Sequence, residues 1–366
     1  MHDGKVLDID DPDVWSSIGT GTGTFANNKF NMAVTPGQYY IRQTSRYAPY
    51  FAGKVQIIEH TFDNFQIEPG VVKRVGYFSS SGVAPYADSF DGFWLENDGT
   101  TYRIIASRAG VQTINVPMAS WSNAAIAQGM DWSKFNVISW EFLWLGGVTI
   151  RLWAYVNNTW VSLHECAYTG LYTDTITLSP NQPCRYEIRS TTGMGSLRAI
   201  CNQIATSGSV NESGKSISVR NQTAISCNTI GTDYVLLAVR KLVASRDVPI
   251  RVLSIAAING GTSDNGILSL RKNPTISGGS LSYTPSNTGH FEVARNTNSA
   301  IVVTPFTGRT LFNAVVSAAG ISNDIVSDFM SYLGSTIDNV MDVYVLTYTP
   351  ITPTQTLYGI LNMKEQ

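Results

Sequence analysis

From about residue 38 to the end, short apolar or alternating segments are divided by Gly, Asn and Asp turns. Val, Ile, Thr, Tyr, Phe and Trp dominate these segments, which is the composition of strands and not of helices. They cover 51–62 (FAGKVQIIEHTF), 71–79, 93–105, 183–190, 233–243, 250–258, 266–273 and 340–350. Helical periodicity is scarce. NAAIAQGMDW (123–132) predicts one short helix or turn, and 311–333 is broken by Asn, Gly and Ser.

The stretch 135–165 can be resolved residue by residue, because successive strand side chains point to opposite faces. Ile138, Trp140, Phe142 and Trp144 share one face, and Gly146-Gly147 supplies a tight hairpin turn. On the return strand Val148, Ile150, Leu152, Ala154 and Val156 share a face, and Thr149, Arg151, Trp153 and Tyr155 share the other. Asn157-Asn158 turns the chain again into Trp160-Val161-Ser162-Leu163, completing a three-stranded meander. Asn97-Asp98-Gly99 makes an earlier hairpin by the same logic. Repeated hairpins without intervening helices predict sheet packed on sheet.

The expected fold is therefore all-β, with two antiparallel β-sandwich, jelly-roll-like domains over 38–205 and 214–366. The small polar stretch 206–213 reads as the linker between them. Residues 1–37 are rich in Gly, Thr and Asn, and GTGTGTF (19–25) is of low complexity, which predicts an extended or partner-ordered N-terminal arm.

Composition narrows the function classes. Charged residues are 14% of the chain, below the quarter usual in soluble domains, so Ser, Thr, Asn and Gln must cover much of the surface. That suits extensively packed β proteins and assemblies. A net charge of -2 with no basic cluster argues against nucleic-acid binding. No apolar run approaches the roughly 20 residues of a membrane helix, so no membrane insertion is expected. The opening MHDGKVLDIDDPDVW lacks a secretory pattern, so synthesis in a reducing cytoplasm is the expectation. The four cysteines (Cys166, Cys184, Cys201 and Cys227) show no metal-binding spacing and read as free, buried thiols.

Gly214-Lys215-Ser216 resembles the end of a phosphate-binding loop. A P-loop has four residues between its glycines and opens a helix. Here five residues separate Gly208 from Gly214, and the alternation of Ser216-Ile217-Ser218-Val219 predicts a strand, so no nucleotide site is expected. None of His2, His60, His164 and His290 has metal spacing or a nucleophile beside it, and no G-x-S-x-G elbow exists. His164, Glu165 and Cys166 alternate along a strand and cannot act together. The acids Asp88, Asp91, Glu96 and Asp98, and the run Asp8, Asp10, Asp11 and Asp13, read as solvated turn acids. The run lacks an EF-hand pattern. Two facing acids in a groove would instead make a polysaccharide-degrading enzyme. Asn158, beside the turn, and the Asn-x-Ser/Thr triplets at Asn211 and Asn221 read as turn and strand residues. No catalytic residue, cofactor or metal is expected, and the protein reads as a non-enzyme.

The aromatics are the strongest feature, with five of eight tryptophans within 132–160. Trp140 and Trp144 read as core. Thr149, Arg151, Trp153 and Tyr155 form the candidate contact face, since exposed aromatics beside Arg mark interfaces or platforms for sugar rings.

Several segments resemble a recurring module in virion proteins of tailed bacteriophages: FDGFWLENDGTTYRI (90–104), SRAGV (107–111), FLWLGGVTIRLWAYV (142–156) and LHE (163–165). The likeness continues through GKSISVRNQ (214–222), VLLAVRKLVASRDVPIRVLSIAA (235–257), LSLRKNPTISGGSLSYT (268–284), TGHFEVA (288–294) and DVYVLTYTP (342–350). The resemblance implies a structural virion component, on the head (capsid-associated, head fibre or decoration) or the tail (tail or baseplate), made in the bacterial host cytoplasm. Its implied partners are copies of itself, as a trimer or other cyclic assembly, and neighbouring virion proteins. The N-terminal arm is where virion attachment would reside. The alternative is a carbohydrate-binding adsorption protein contacting a host-surface glycan.

Overall fold

Alternation along the chain becomes pairing in space. A computed structural model of the protein describes all residues except 1–2, 8, 10, 81–88, 146–148, 208–213, 260–264, 317–320 and 325–331. The Gly146-Gly147 turn, most of the 206–213 linker, His2, Asp8, Asp10, Asp88 and Asn211 lie outside the described residues. The chain divides into two compact units, Met1–Glu212 and Ser213–Gln366.

In chain order the first unit forms β1 (Asp3–Leu7), β2 (Trp15–Gly19), β3 (Thr22–Ala26), β4 (Lys29–Val34), β5 (Tyr39–Thr44), β6 (Gln56–Asp63), β7 (Val71–Ser80) and β8 (Phe90–Asn97). There follow β9 (Tyr102–Arg108), β10 (Val111–Pro117), a short helix α1 (Ala124–Gly129), β11 (Asn136–Leu143), β12 (Thr149–Val156), β13 (Thr159–Ala167), β14 (Cys184–Ser190) and β15 (Gly195–Thr206). One sheet has the order β13-β12-β11-β6-β15-β4-β3 with β1 also on β15, and the other has the order β10-β9-β8-β7-β14-β5-β2. Their inner faces meet through aromatic rings: Phe93 packs edge-on to Trp140 at 5.3 Å and Tyr77 lies 6.3 Å from Phe142. Ile58, Phe62, Leu95, Ile104 and Tyr186 complete this buried layer. The all-β sandwich expected from the alternation is the fold of this unit.

The extended arm expected over residues 1–37 does not exist as such. β1 pairs with β15, β2 with β5, and the β3–β4 hairpin joins the first sheet through β15. Phe30, Met32 and Val34 alternate inward along β4 and are buried. Two buried arginines fasten the segment: Arg42 donates to Ser17 Oγ (2.9 Å) and to the Ile9 carbonyl, and Arg46 donates to the Asp13 carbonyl (2.6 Å). The Gly-Thr repeat looked like low complexity because its glycines answer a distant residue. A Cβ on Gly23 would lie 2.1 Å from the Tyr40 hydroxyl, and one on Gly19 would lie 2.4 Å from the Tyr39 carbonyl.

In the second unit one sheet runs Lys215–Arg220, Gln355–Glu365, Ile250–Asn259 and Ile321–Asp324, with Ile225–Cys227 also on Gln355–Glu365. The other centres on Tyr234–Lys241, Val343–Pro350 and Gly266–Lys272. Leu236, Leu268, Leu346, Tyr348, Leu357 and Leu361 fill the space between them. Gln355–Glu365 buries every second residue, from Gln355 through Leu357, Leu361 and Met363 to Glu365. Gly214 (φ +139) leads directly into the strand Lys215–Arg220, and Lys215 pairs with Glu365, so the pseudo P-loop is a strand entry.

Candidate functional site

The meander forms as its pattern requires. β11 and β12 pair from Ile138–Ala154 to Leu143–Thr149, and β12 pairs with β13 through a bulge beside Leu152 and Trp153. Asn157 and Asn158 turn the chain with φ of 49° and 63°, a region Asn tolerates better than most residues. Ile150, Leu152 and Ala154 are buried inward, which leaves Thr149, Arg151, Trp153 and Tyr155 on the outward face. Trp140 is fully buried as expected, but Trp144 lies beyond the end of β11 and is only half-buried, against Tyr50.

Pairing sets Glu141, Arg151 and Glu165 opposite one another across three strands. Arg151 Nε donates to Glu165 Oε2 (2.9 Å) and Nη2 to Glu165 Oε1 (3.2 Å), while Glu141 stands 3.6 Å away on the other side. The hydrogen bond from Arg151 holds the Glu165 carboxyl below its usual range. This group is exposed enough that the pairing adds at most about 1 kcal/mol; what it does is fix the guanidinium. Glu141, Leu143, Thr149, Arg151, Glu165 and Val55 line a cleft of about 250 Å³.

Thr149 and Arg151 thus belong to the cleft, and Trp153 and Tyr155 extend along the strand away from it. Trp153 is half-buried, and its indole nitrogen has no hydrogen-bond partner among the described residues. Tyr155 is 46% exposed and meets Trp160, 40% exposed, edge to face at 5.4 Å. Sequence reasoning missed Glu141, Glu165 and Trp160 as members of this face. The cross-strand register would have found them, since Trp160 pairs with Tyr155 just as the two acids flank Arg151.

Two of the carboxylates read as solvated turn acids, Asp91 and Glu96, do other work. Asp91 accepts from Leu178 N (2.7 Å), Ser179 N (3.1 Å), Ala109 N (3.3 Å) and Gln182 Nε2 (2.6 Å), anchoring the 178–182 loop. Burial pushes its pKa up against those bonds. Glu96 accepts from Arg74 Nε (2.6 Å) and Trp94 Nε1 (3.2 Å) on the outer face of the second sheet, where Phe78, Phe90, Trp94 and Ile105 form a small separate core. Asp98 does behave as a turn acid: against partial burial, hydrogen bonds from Thr100, Arg103 and Thr101 hold it at about 2. Asp11 sits in a turn as well, its Oδ1 accepting from Asp13 N (2.8 Å). Asn158 sits in its turn, and Asn221 is a buried clamp that bonds Gly359 N and the Thr223 carbonyl at 2.5 Å each.

None of the four cysteines is in a disulfide. Cys166, Cys184 and Cys227 are buried, and burial pushes the Cys166 thiol up to about 12. Among the described residues no cluster of three His, Cys, Asp or Glu side chains could hold a metal ion.

No protein-family model and no curated protein matches the chain. Among solved structures it is similar to a Bacillus licheniformis beta-glucanase, at 8% identity over 56% of this chain and 98% of that one, with a TM-score of 0.38. It is also similar to a native glycosidic hydrolase (12% identity, 55% of this chain, 94% of that one, TM-score 0.37). A third is peanut lectin with a 9mer peptide (8% identity, 58% of this chain, 100% of that one, TM-score 0.38). Likeness at these TM-scores assigns the chain neither a family nor an activity.

Proposed function

We propose that the protein is a non-enzymatic structural component of a bacteriophage particle that assembles with copies of itself and neighbouring virion proteins. On this reading the outward face of the β11–β13 meander is a contact surface. The observation that carries it is the exposed Tyr155–Trp160 pair on one face with the clamped Arg151. Tyr, Trp and Arg are the residue types that supply most binding energy at interfaces, and a guanidinium already held in place loses little freedom on contact. The resemblance of 90–104 and 142–156 to phage virion modules supports the setting. Mass spectrometry of purified, washed particles should detect the protein, and its absence from them would sink the virion role. Sedimentation of the isolated chain should show an oligomer that Tyr155→Ala with Trp160→Ala weakens at least tenfold, about 1.4 kcal/mol. A wild-type chain that stays monomeric at all concentrations would count against self-assembly.

A carbohydrate-binding adsorption role is the second reading, favoured by the cleft. There Arg151 and its two flanking carboxylates offer paired donors and acceptors, and Trp153 stands alongside. It requires saturable binding to host-surface glycans that Trp153→Ala abolishes. A flat response across those glycans rejects it.

A further inference from the structure

A second cleft, of about 280 Å³, lies where the chain leaves β13 and runs past β10, and it shares no lining residue with the cleft beside Arg151. Its base is an aromatic stack. Tyr168 is 2% exposed, and Tyr172 lies on it with ring centroids 4.3 Å apart and planes 15° from parallel. Tyr172 is itself 54% exposed, so one ring face is covered by Tyr168 and the other is open to solvent. Arg108, Gln112, Thr173 and Asp174 line the cleft together with Tyr172.

The loop that carries this platform is fastened from beneath. Arg108 Nε donates to Thr175 Oγ1 (3.0 Å), Thr113 Oγ1 donates to the Ile176 carbonyl (2.9 Å), and Asp91 receives the amides of Leu178 and Ser179. Ile176 and Thr177 are buried. A ligand therefore meets a surface already ordered, which lowers the entropy lost on binding.

The chemistry of the rim selects the ligand class. A phosphate or carboxylate would meet Asp174 as well as Arg108, so the charges cancel where a dedicated anion site would reinforce them. A wholly apolar ligand would leave the guanidinium, carboxylate and amide desolvated without partners. A ring with an apolar face and a hydroxylated edge satisfies both surfaces. The volume, at the lower end of the roughly 300–1,000 Å³ of ligand sites, admits one or two such rings. We propose that this cleft binds a neutral pyranose unit of a glycan, its C–H face stacked on Tyr172 and its neighbouring hydroxyls bridging Arg108, Gln112 and Asp174. The inference depends neither on the meander face nor on the virion role.

Saturation-transfer NMR on the intact chain tests it, with maltose, cellobiose and N,N′-diacetylchitobiose as probes and glucose 6-phosphate as the charged control. Saturation should reach the ring protons of at least one neutral disaccharide. Tyr172→Ala should weaken that binding at least tenfold, Tyr172→Phe should retain it, and Asp174→Asn should weaken it. Trp153→Ala, on the meander face, should leave it unchanged. Tryptophan fluorescence checks that Tyr172→Ala remains folded, and if it does not, the Tyr172→Phe and Asp174→Asn pair still decides. The proposal is overturned by no transfer to any of the three disaccharides or by a stronger response to the phosphate. Undiminished binding in Tyr172→Ala, or loss of binding in Trp153→Ala, overturns it as well.

Discussion

Glu187 is the most consequential charge in the first unit, and replacing it with Gln is a quantitative test of how that unit is held together. Its carboxylate accepts from Arg185 Nη2 (2.6 Å) and Nε (3.0 Å), and from Arg74 Nη1 (2.7 Å). Arg74 in turn bonds Glu96, so two cations and two anions balance on the outer face of the second sheet. Arg185 and Glu187 are both buried. Burial pushes the Glu187 pKa up, but Arg185 and Arg74 outweigh it and hold the carboxyl below its ordinary value. Glu187→Gln keeps the shape and leaves one positive charge uncompensated in a water-poor setting, a loss of about 3–5 kcal/mol.

All eight tryptophans lie in the first unit, so tryptophan fluorescence during urea unfolding reports on that unit alone. At an m-value of about 2 kcal/mol/M, a loss of about 4 kcal/mol lowers the urea midpoint by about 2 M. Replacing the pair together, as Arg185→Met with Glu187→Leu, should recover most of that loss because charge balance returns. The sign with pH follows from the depressed folded pKa. The stabilisation by ionised Glu187 is complete above the unfolded value of about 4.3 and is lost as pH falls through the folded value. The gap between wild type and Glu187→Gln should therefore close in acid. A midpoint shift under about 0.5 M at neutral pH, or a gap that does not change in acid, would refute the reasoning.

His60 is fully buried beside Asn202, and burial lowers its pKa to about 3. The unfolded chain binds a proton there below about pH 6.5 and the folded one does not, so stability should fall with pH by up to about 1.4 kcal/mol per unit between those values. His60→Gln should flatten that part of the curve by one proton, and parallel curves would contradict it. Gly92 has φ of 122°, and a Cβ there would stand 2.3 Å from the Tyr77 carbonyl and 2.5 Å from the Phe78 Cα. Gly92→Ala should thus destabilise the first unit by more than about 1 kcal/mol in the same urea assay, and an unchanged midpoint would show that the strand can shift.

Local features were legible in the chain itself. The inward set Ile150, Leu152 and Ala154, the outward set Thr149, Arg151, Trp153 and Tyr155, and the turn at Asn157-Asn158 all follow from the pleat and from backbone preference, which are decided within a few residues. The short helix Ala124–Gly129 and the strand after Gly214 were legible for the same reason.

Which strand lies beside which was not legible. β6 joins β11 to β15, and β14 sits between β7 and β5, partners far apart in the chain. That choice places Glu187 against Arg74 across 113 positions, turns Asp91 from a turn acid into the anchor of a loop, and folds the first 37 residues into both sheets. It also explains the Gly-Thr repeat, whose glycines are required by the close approach of Tyr39 and Tyr40. Alternation tells a strand which side to bury, because that depends only on its own side chains. The neighbour across the sheet depends on complementarity between distant segments, and only the folded structure brings those segments together.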